Sequence, residues 1–475
     1  MVLAVTSGKE VHGMRSRYSL GAKNYSESTN GKAELSRTVP RVLLSTLLIL
    51  MMLPIISTPK MAYAAVDHNS PIECLDGTDS GTDLLADGYV WDGSGNLTIQ
   101  DLNLAVDPSI PSTGHAIFAN RSMTITVLGN NTITLSTAVI PIPEPLRGIE
   151  CLGDLTITGG GTLTIEITSD GNADSLDGIY ALGYIKIKDR TRVDIKVVSD
   201  TNSAVDSNGI LVDPSIDESI TISDSEVNID IEGSGDNTHG ISNQAGPCII
   251  SDGSKIGIDI AIDQDQSSIY GLYAAGLSIL SSEVNCNAEA INTDTLGVCG
   301  LVSSQAEFII SDSVVSASGR STLSSDGYGI FLEASQLSIT GNSNVTAEGG
   351  QAGIMALHLG NDVVNPPVTI GSGLDALEGG SIKGLFIDDP NFPLVIWAYG
   401  PFEYDAGLGK IINASPRVVV GPALERDTPA PSPNGGGSGN PQTGDDTPVV
   451  FFLALLCFAG LAGTALLIRR KITEN

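Results

Sequence analysis

Five basic residues fall within eleven positions, Lys186, Lys188, Arg190, Arg192 and Lys196, with Asp189 and Asp194 set among them. In a chain with 24 Lys and Arg against 55 Asp and Glu, this is where cations gather. Lys186 and Lys188 alternate with Ile185 and Ile187, so on a strand both ammonium groups leave the same face. That face can dock an anionic sugar. A lyase also needs a strong base of this type beside carboxylates. Equally, these cations can neutralise acidic neighbours on adjacent strands, and the surplus of acid favours that reading.

Three other groups have chemical potential. Phe386, Phe392, Trp397, Tyr399, Phe402 and Tyr404 fall within 19 residues. The flat faces of Trp397 and Tyr399 can stack on the C–H faces of sugars, although a hydrophobic end cap needs the same residues. Asp76, Asp79, Asp83, Asp87 and Asp92 form a dense acidic turn. Asp76, Asp79 and Asp83 are the candidates for a structural calcium, but the order is neither that of an EF-hand nor of a calcium-binding β-roll, and turn capping explains it nearly as well. No other cofactor is expected. His115, His239 and His358 stand isolated and read as structural. Of the six cysteines, Cys457 lies in the apolar run near the C-terminus. The five expected to be exported, Cys74, Cys151, Cys248, Cys286 and Cys299, are odd in number and irregular in spacing, with no CxxC pair, so neither a disulfide framework nor a zinc site is indicated.

Hydrolysis of a sugar bond needs two carboxylates, one protonated at working pH. Polygalacturonase-like families place theirs in Asn-Thr-Asp, Asp-Asp and His-Gly elements followed by Arg-x-Lys. Here Asn292-Thr293-Asp294 and His239-Gly240 occur in the wrong order, Asp388-Asp389 lies far downstream, and the Arg-x-Lys is missing. The expectation is a chain that binds rather than transforms, with no catalytic residue assigned.

The elements that must position these groups repeat. Glycine followed by an apolar residue marks each unit: Gly148-Ile149, Gly178-Ile179, Gly209-Ile210, Gly240-Ile241, Gly271-Leu272, Gly297-Val298, Gly329-Ile330 and Gly353-Ile354. Two further strand-like stretches follow each marker, as in Leu155-Thr-Ile157 with Leu163-Thr-Ile-Glu-Ile167, or Ile220-Thr-Ile222 with Val227-Asn-Ile-Asp-Ile231. Alternation at period two sends one row of side chains inward and the next into solvent. Turns such as Gly159-Gly160-Gly161 and Ser223-Asp224-Ser225 separate the second strand from the third. Three short strands per turn of roughly 30 residues, stacked in register, make a parallel β-helix. Glu166, Lys196 and Asp230 then share one outward column. The inner third-strand positions shrink from Leu163, Ile165 and Ile167 to Val345 and Ala347, so the later coils are expected to be slimmer. On this pattern the repeats resemble the pectate-lyase-like right-handed β-helices, in their carbohydrate-binding and adhesin-like versions.

The ends carry addresses. Seven Lys and Arg precede the apolar run Val42–Ile56, and Ala62-Tyr63-Ala64 is a small-x-small site, so cleavage is expected between Ala64 and Ala65. Met14 offers an alternative start. At the other end Asn440-Pro441-Gln442-Thr443-Gly444 precedes an apolar run from Val449 to Ile468 and then Arg469-Arg470-Lys471. Those 20 residues span about 30 Å as a helix, enough to cross a bilayer. The arrangement resembles the sorting signal of LPxTG-type surface proteins of Gram-positive bacteria, with Asn440 in the place of Leu. The resemblance implies a transient membrane span, sortase cleavage between Thr443 and Gly444, and covalent transfer of Thr443 to peptidoglycan.

Net charge is −31 over 475 residues, and it deepens once the basic ends are removed. Such a field repels nucleic acid and favours cations. The expected organisation is a signal peptide at 1–64, an N-terminal cap at 65–96, repeats at 97–384, a C-terminal cap at 385–427, a Pro/Gly/Ser tether at 428–439 and a sorting signal at 440–475. The expected fold is all-β, a right-handed parallel β-helix of about nine to ten coils. The expected function is that of a monomeric, wall-anchored carbohydrate binder or adhesin, its partners being a sortase, peptidoglycan and a polysaccharide or host glycan. A polysaccharide lyase or hydrolase and a plain wall spacer are the alternatives.

Overall fold

Strands such as Thr162–Ser169, Arg192–Ser199 and Glu226–Gly233 place an apolar residue at every second position. One such strand cannot bury its own apolar row, so the neighbouring coil must complete both the core and the backbone hydrogen bonding. The computed structural model shows how. It describes residues 65–423 apart from 78–79, 82, 107–113, 138–144, 170–172, 200–205, 234–236, 264–267, 292–296, 323–326, 360–366, 388–393 and 406–409. The expected signal peptide, tether and sorting signal all lie outside the described residues.

The described chain is nearly all strand, and the strands form parallel stacks. First strands of successive coils pair in register, for example Ser175–Ala181 with Asp206–Val212. Second strands do likewise, Leu155 opposite Ile185 and Ile185 opposite Ile220. Third strands form the longest ladders, Thr162–Ser169 on Arg192–Ser199 on Glu226–Gly233. First and second strands merge where Asn237–Ser251 and Ser268–Leu280 run through the corner without a break. The result is a parallel β-helix with eight complete coils between His115 and Gly349 and incomplete coils at both ends, rather than nine to ten. Glu166, Lys196 and Asp230 face one another across consecutive coils, as their spacing predicts.

The marker glycines serve close approach. A Cβ at Gly178, Gly209 or Gly240 would lie 2.4–2.5 Å from Cγ2 of Ile195, Ile229 or Ile258 on the third strand. In later coils those isoleucines give way to Cys286, Ala317 and Ala347, and the walls move together. A Cβ at Gly300 would meet the backbone nitrogen of Ser318 at 2.7 Å, and one at Gly329 that of Glu348 at 2.5 Å. The coils do become slimmer. One marker is corrected: the residue aligned with Gly271 is Gly300, because Tyr270 pairs with Cys299 and Leu272 with Leu301. Gly297-Val298 fits the same two-letter pattern, but register rather than pattern decides.

At the corner between second and third strands, Asp224, Asp252 and Asp312 adopt positive φ of 46°, 59° and 52°. Buried hydroxyls follow them. Ser254 Oγ accepts from the Ser225 amide at 3.3 Å, and Ser313 Oγ from the Ser282 amide at 3.1 Å, so one hydroxyl per coil satisfies a backbone group inside the turn.

Parallel stacking stops at Val368–Ile370. Beyond it pairing turns antiparallel: Leu374–Glu378, inside the span expected to hold repeats, pairs with Arg417–Pro422, which also lies on Asn344–Gly349, and Leu394–Tyr399 lies on Ala352–Leu359. These strands cover the edges that the last coil would otherwise expose. At the N-terminal end Trp91 is buried and its indole N–H donates to the Leu75 carbonyl at 3.0 Å.

Candidate functional site

On the outward side of the third strands two columns run side by side along the coil axis. One comprises Asp194, Asn228, Gly257, Asn285 and Ser316, and the other Lys196, Asp230, Asp259, Asn287, Ser318 and Glu348. Neighbouring strands are about 4.8 Å apart, so the second column extends roughly 24 Å. Between them lies an open groove of about 730 Å³. Its depth owes much to Gly257, where a Cβ would sit 2.9 Å from Asn228 Oδ1. The backbone there is ordinary extended strand, so this glycine supplies space rather than conformational freedom.

The acids of the groove are engaged. Asp194 accepts from Asn228 Nδ2 at 2.8 Å and pairs with Arg192 at 2.8 Å. Asp259 accepts from Asn287 Nδ2 at 2.9 Å. Lys196 lies 3.5 Å from Asp230 and 3.3 Å from Glu232, and chiefly the Glu232 hydrogen bond holds its ammonium above the ordinary lysine range. At the far end Glu348 bridges Arg320 and Arg417, the latter at 2.8 Å. By contrast, the side chains of Asn285, Ser316 and Ser318 make no hydrogen bond to any described residue. They leave a row of amide and hydroxyl groups facing the groove.

The basic segment is divided by the turn it contains. Asp189 and Arg190 both take left-handed φ, 62° and 61°, and send the chain round the corner. Lys186 and Lys188 stay with the second strands, where Lys186 Nζ lies 5.6 Å from the Tyr184 ring centre and Lys188 Nζ lies 3.0 Å from Asp189. Arg192 and Lys196 stand on the third strands, Arg192 also reaching Glu226 at 2.9 Å. The five cations therefore do not make one docking face, and Lys188, Arg192 and Lys196 each have a carboxylate partner. Of the set, Lys196 lines the groove.

The aromatic candidates belong to the cap. Trp397 is 8% exposed and Tyr399 2%, and both pack into the main core. Gly384, paired with Trp397 across the antiparallel ladder, lies under its ring: a Cβ there would be 3.0 Å from three ring carbons. The indole fills the space a side chain would take, which leaves no open face for a sugar. In the acidic turn, Asp76 pairs with Arg121, and Asp83 caps the short helix Leu84–Asp87 by accepting from the Leu85 amide at 3.0 Å. Asp79 lies outside the described residues. Among the described residues no group of three or more His, Cys, Asp or Glu is disposed to hold a metal ion.

Two histidines that look isolated in sequence join one polar column on the first strands. His115, Arg147, Asp177, Asn208, His239 and Tyr270 succeed one another coil by coil. His115 sits 3.0 Å from Glu73 and 3.3 Å from Glu150. The sequence signal was available, since each of the last five immediately precedes a marker glycine. The five cysteines are buried and unpaired, and burial pushes the Cys74 and Cys248 thiols up to about 12.

Comparison of the chain with protein-family models, curated proteins and solved structures finds no match.

Proposed function

We propose that this protein is a wall-anchored surface protein that holds a polysaccharide along the third-strand groove without cleaving it. One observation carries the binding half of this reading: uncommitted Asn and Ser side chains, repeated at the coil spacing beside the gap at Gly257. Sugar hydroxyls both donate and accept, and amides and hydroxyls answer both roles. A straight column of such groups suits a polymer lying along the coil axis. The carboxylates of the groove are tied to Asn228, Asn287, Lys196, Arg192, Arg320 and Arg417. None stands against an apolar pocket in the manner of a general acid, which favours retention over turnover. Wall attachment rests on Asn440–Gly444, the apolar run 449–468 and Arg469-Arg470-Lys471.

The test is a glycan array probed with the full-length protein, with and without calcium, followed by product analysis of each hit. The expected result is capture of an intact polysaccharide, weakened by Gly257→Gln, which fills the groove, and by Asn285→Leu. Failure to retain any glycan, or release of shortened or unsaturated oligosaccharides, would overturn the reading.

A further inference from the structure

A second concavity, of about 440 Å³, opens on the first strands, a different face from the groove. Its floor is His239, 6% exposed, with Asn208 beside it, 4% exposed. Tyr270 and Tyr273 form one wall, their ring centres 5.3 Å apart, and lie 5.4 Å and 6.1 Å from the imidazole. Asp206 and Asn237 form the opposite rim, Asn237 Nδ2 donating to Asp206 Oδ1 at 3.0 Å.

The hydrogen bonds beneath fix how His239 presents itself. Asn208 Nδ2 donates to Asp177 Oδ1 at 2.9 Å, which turns the Asn208 carbonyl oxygen toward His239. That oxygen lies 3.0 Å from His239 Nδ1, so Nδ1 carries the proton and donates. Nε2 is then a bare lone pair, and no described residue bonds to it. Burial holds the imidazole neutral, lowering its pKa to about 4, so Nε2 remains an acceptor through the neutral range. The ring is thus oriented from behind by a three-residue relay, with its acceptor unused.

We infer that this concavity is a separate binding pocket for a single uncharged sugar ring, with His239 Nε2 accepting a hydroxyl and Tyr270 and Tyr273 packing on the ring's C–H surface. Directional polar groups on one side and aromatic walls on the other are the features by which a protein orients a small polyol. The volume lies within the range of small-molecule pockets. The site does not depend on the groove, with which it shares no residue.

Saturation-transfer NMR on the full-length protein with glucose, galactose, mannose and N-acetylglucosamine, each alone, tests this directly. Transfer to at least one of them is expected. Tyr273→Ala should weaken binding of that sugar about threefold to tenfold, and His239→Phe, which keeps a ring and removes the acceptor, should reduce it further. The fraction of transfer lost on Tyr273→Ala should persist in a Gly257→Gln background, which separates this pocket from the groove. Because Tyr273 is partly exposed, its variant keeps the test meaningful if His239→Phe disturbs the coil. No transfer to any of the four, transfer unaffected by Tyr273→Ala, or transfer to tetramethylammonium alone would each overturn the proposal.

Discussion

Arg147 reaches across one coil to Asp177, its Nε 3.2 Å from Oδ2, while its guanidinium carbon lies 3.6 Å from the centre of the Tyr180 ring. Asp177 is fully buried and also accepts from Ser175 Oγ at 3.1 Å and Asn208 Nδ2 at 2.9 Å. A carboxylate so placed is tolerable because its lone pairs are met from three directions, and it stands near the centre of the polar column that runs from His115 to Tyr270.

Removing the cation should therefore cost more than an exposed ion pair would. Arg147→Met keeps the stem and leaves Asp177 buried without its charge partner, an expected loss of about 3 kcal/mol. Arg147→Met combined with Asp177→Asn should recover part of it. Urea unfolding followed by circular dichroism reads both. A double-variant loss equal to the sum of the Arg147→Met and Asp177→Asn losses would mean that the pair is not coupled.

The upper end of the same column predicts a pH dependence. Burial alone would lower the His115 pKa, but hydrogen bonds with Glu150 and Glu73 outweigh it and raise the value above 6.5. Its contribution is then complete below 6.5 and lost as pH rises through the raised folded value. Glu150 works in the opposite sense. Burial would raise it, yet His115 and Arg147 hold it below 4.5, so its contribution is present above that value and lost in acid. The stability advantage of wild type over His115→Gln should be greatest near about pH 5.5 and shrink toward pH 8. Melting temperatures at several pH values would show it, and a difference constant with pH would refute it.

The marker glycines predict a steric penalty that can be relieved. Gly209→Ala places a methyl group 2.5 Å from Ile229 Cγ2 and 2.6 Å from the Gly240 carbonyl oxygen, at an expected cost of about 1–3 kcal/mol. Adding Ile229→Ala removes the side-chain half of the clash, so the double variant should lose less than the two singles combined. At Gly300 the obstacle is the backbone of Ser318, and no single replacement should rescue Gly300→Ala.

The cysteines should be silent in the folded chain. Thiols at 0–2% exposure cannot meet a reagent and ionise poorly. Labelling with iodoacetamide followed by peptide mapping should find Cys74, Cys151, Cys248, Cys286 and Cys299 unmodified under native conditions and modified in urea. Labelling of Cys151 in the native state would show that the first coils open locally.

Much of the architecture is readable in the chain because it is local. Period-two alternation in Leu163-Thr-Ile-Glu-Ile167, the Ser-Asp-Ser turns and the shrinkage from Ile229 to Ala347 each need only a few adjacent residues. What depends on a neighbour about 30 residues away is harder to see. Gly297 and Gly300 are equally good markers until Tyr270 is set against Cys299. Trp397 looks like a sugar platform until Gly384 is found under its ring. The groove belongs to no single coil: Gly257 matters only because Asn228 and Asn285 flank it. Arg190 and Asp189 appear as part of one cationic strand until their positive φ turns that strand through a corner.

Third strands keep unbroken register from Leu102 to Gly349, whereas the number of residues joining one coil's third strand to the next coil's first strand differs from coil to coil. This divides the gene into stretches of unequal tolerance. A one-codon insertion within Arg192–Ser199 would exchange inward and outward residues and be purged. The same insertion between Ser199 and Asp206, or a peptide of many residues grafted there, would leave every ladder intact. Length can therefore vary between Ser199 and Asp206 while the coils are inherited unaltered, and an engineer seeking a display position would start at the same junction.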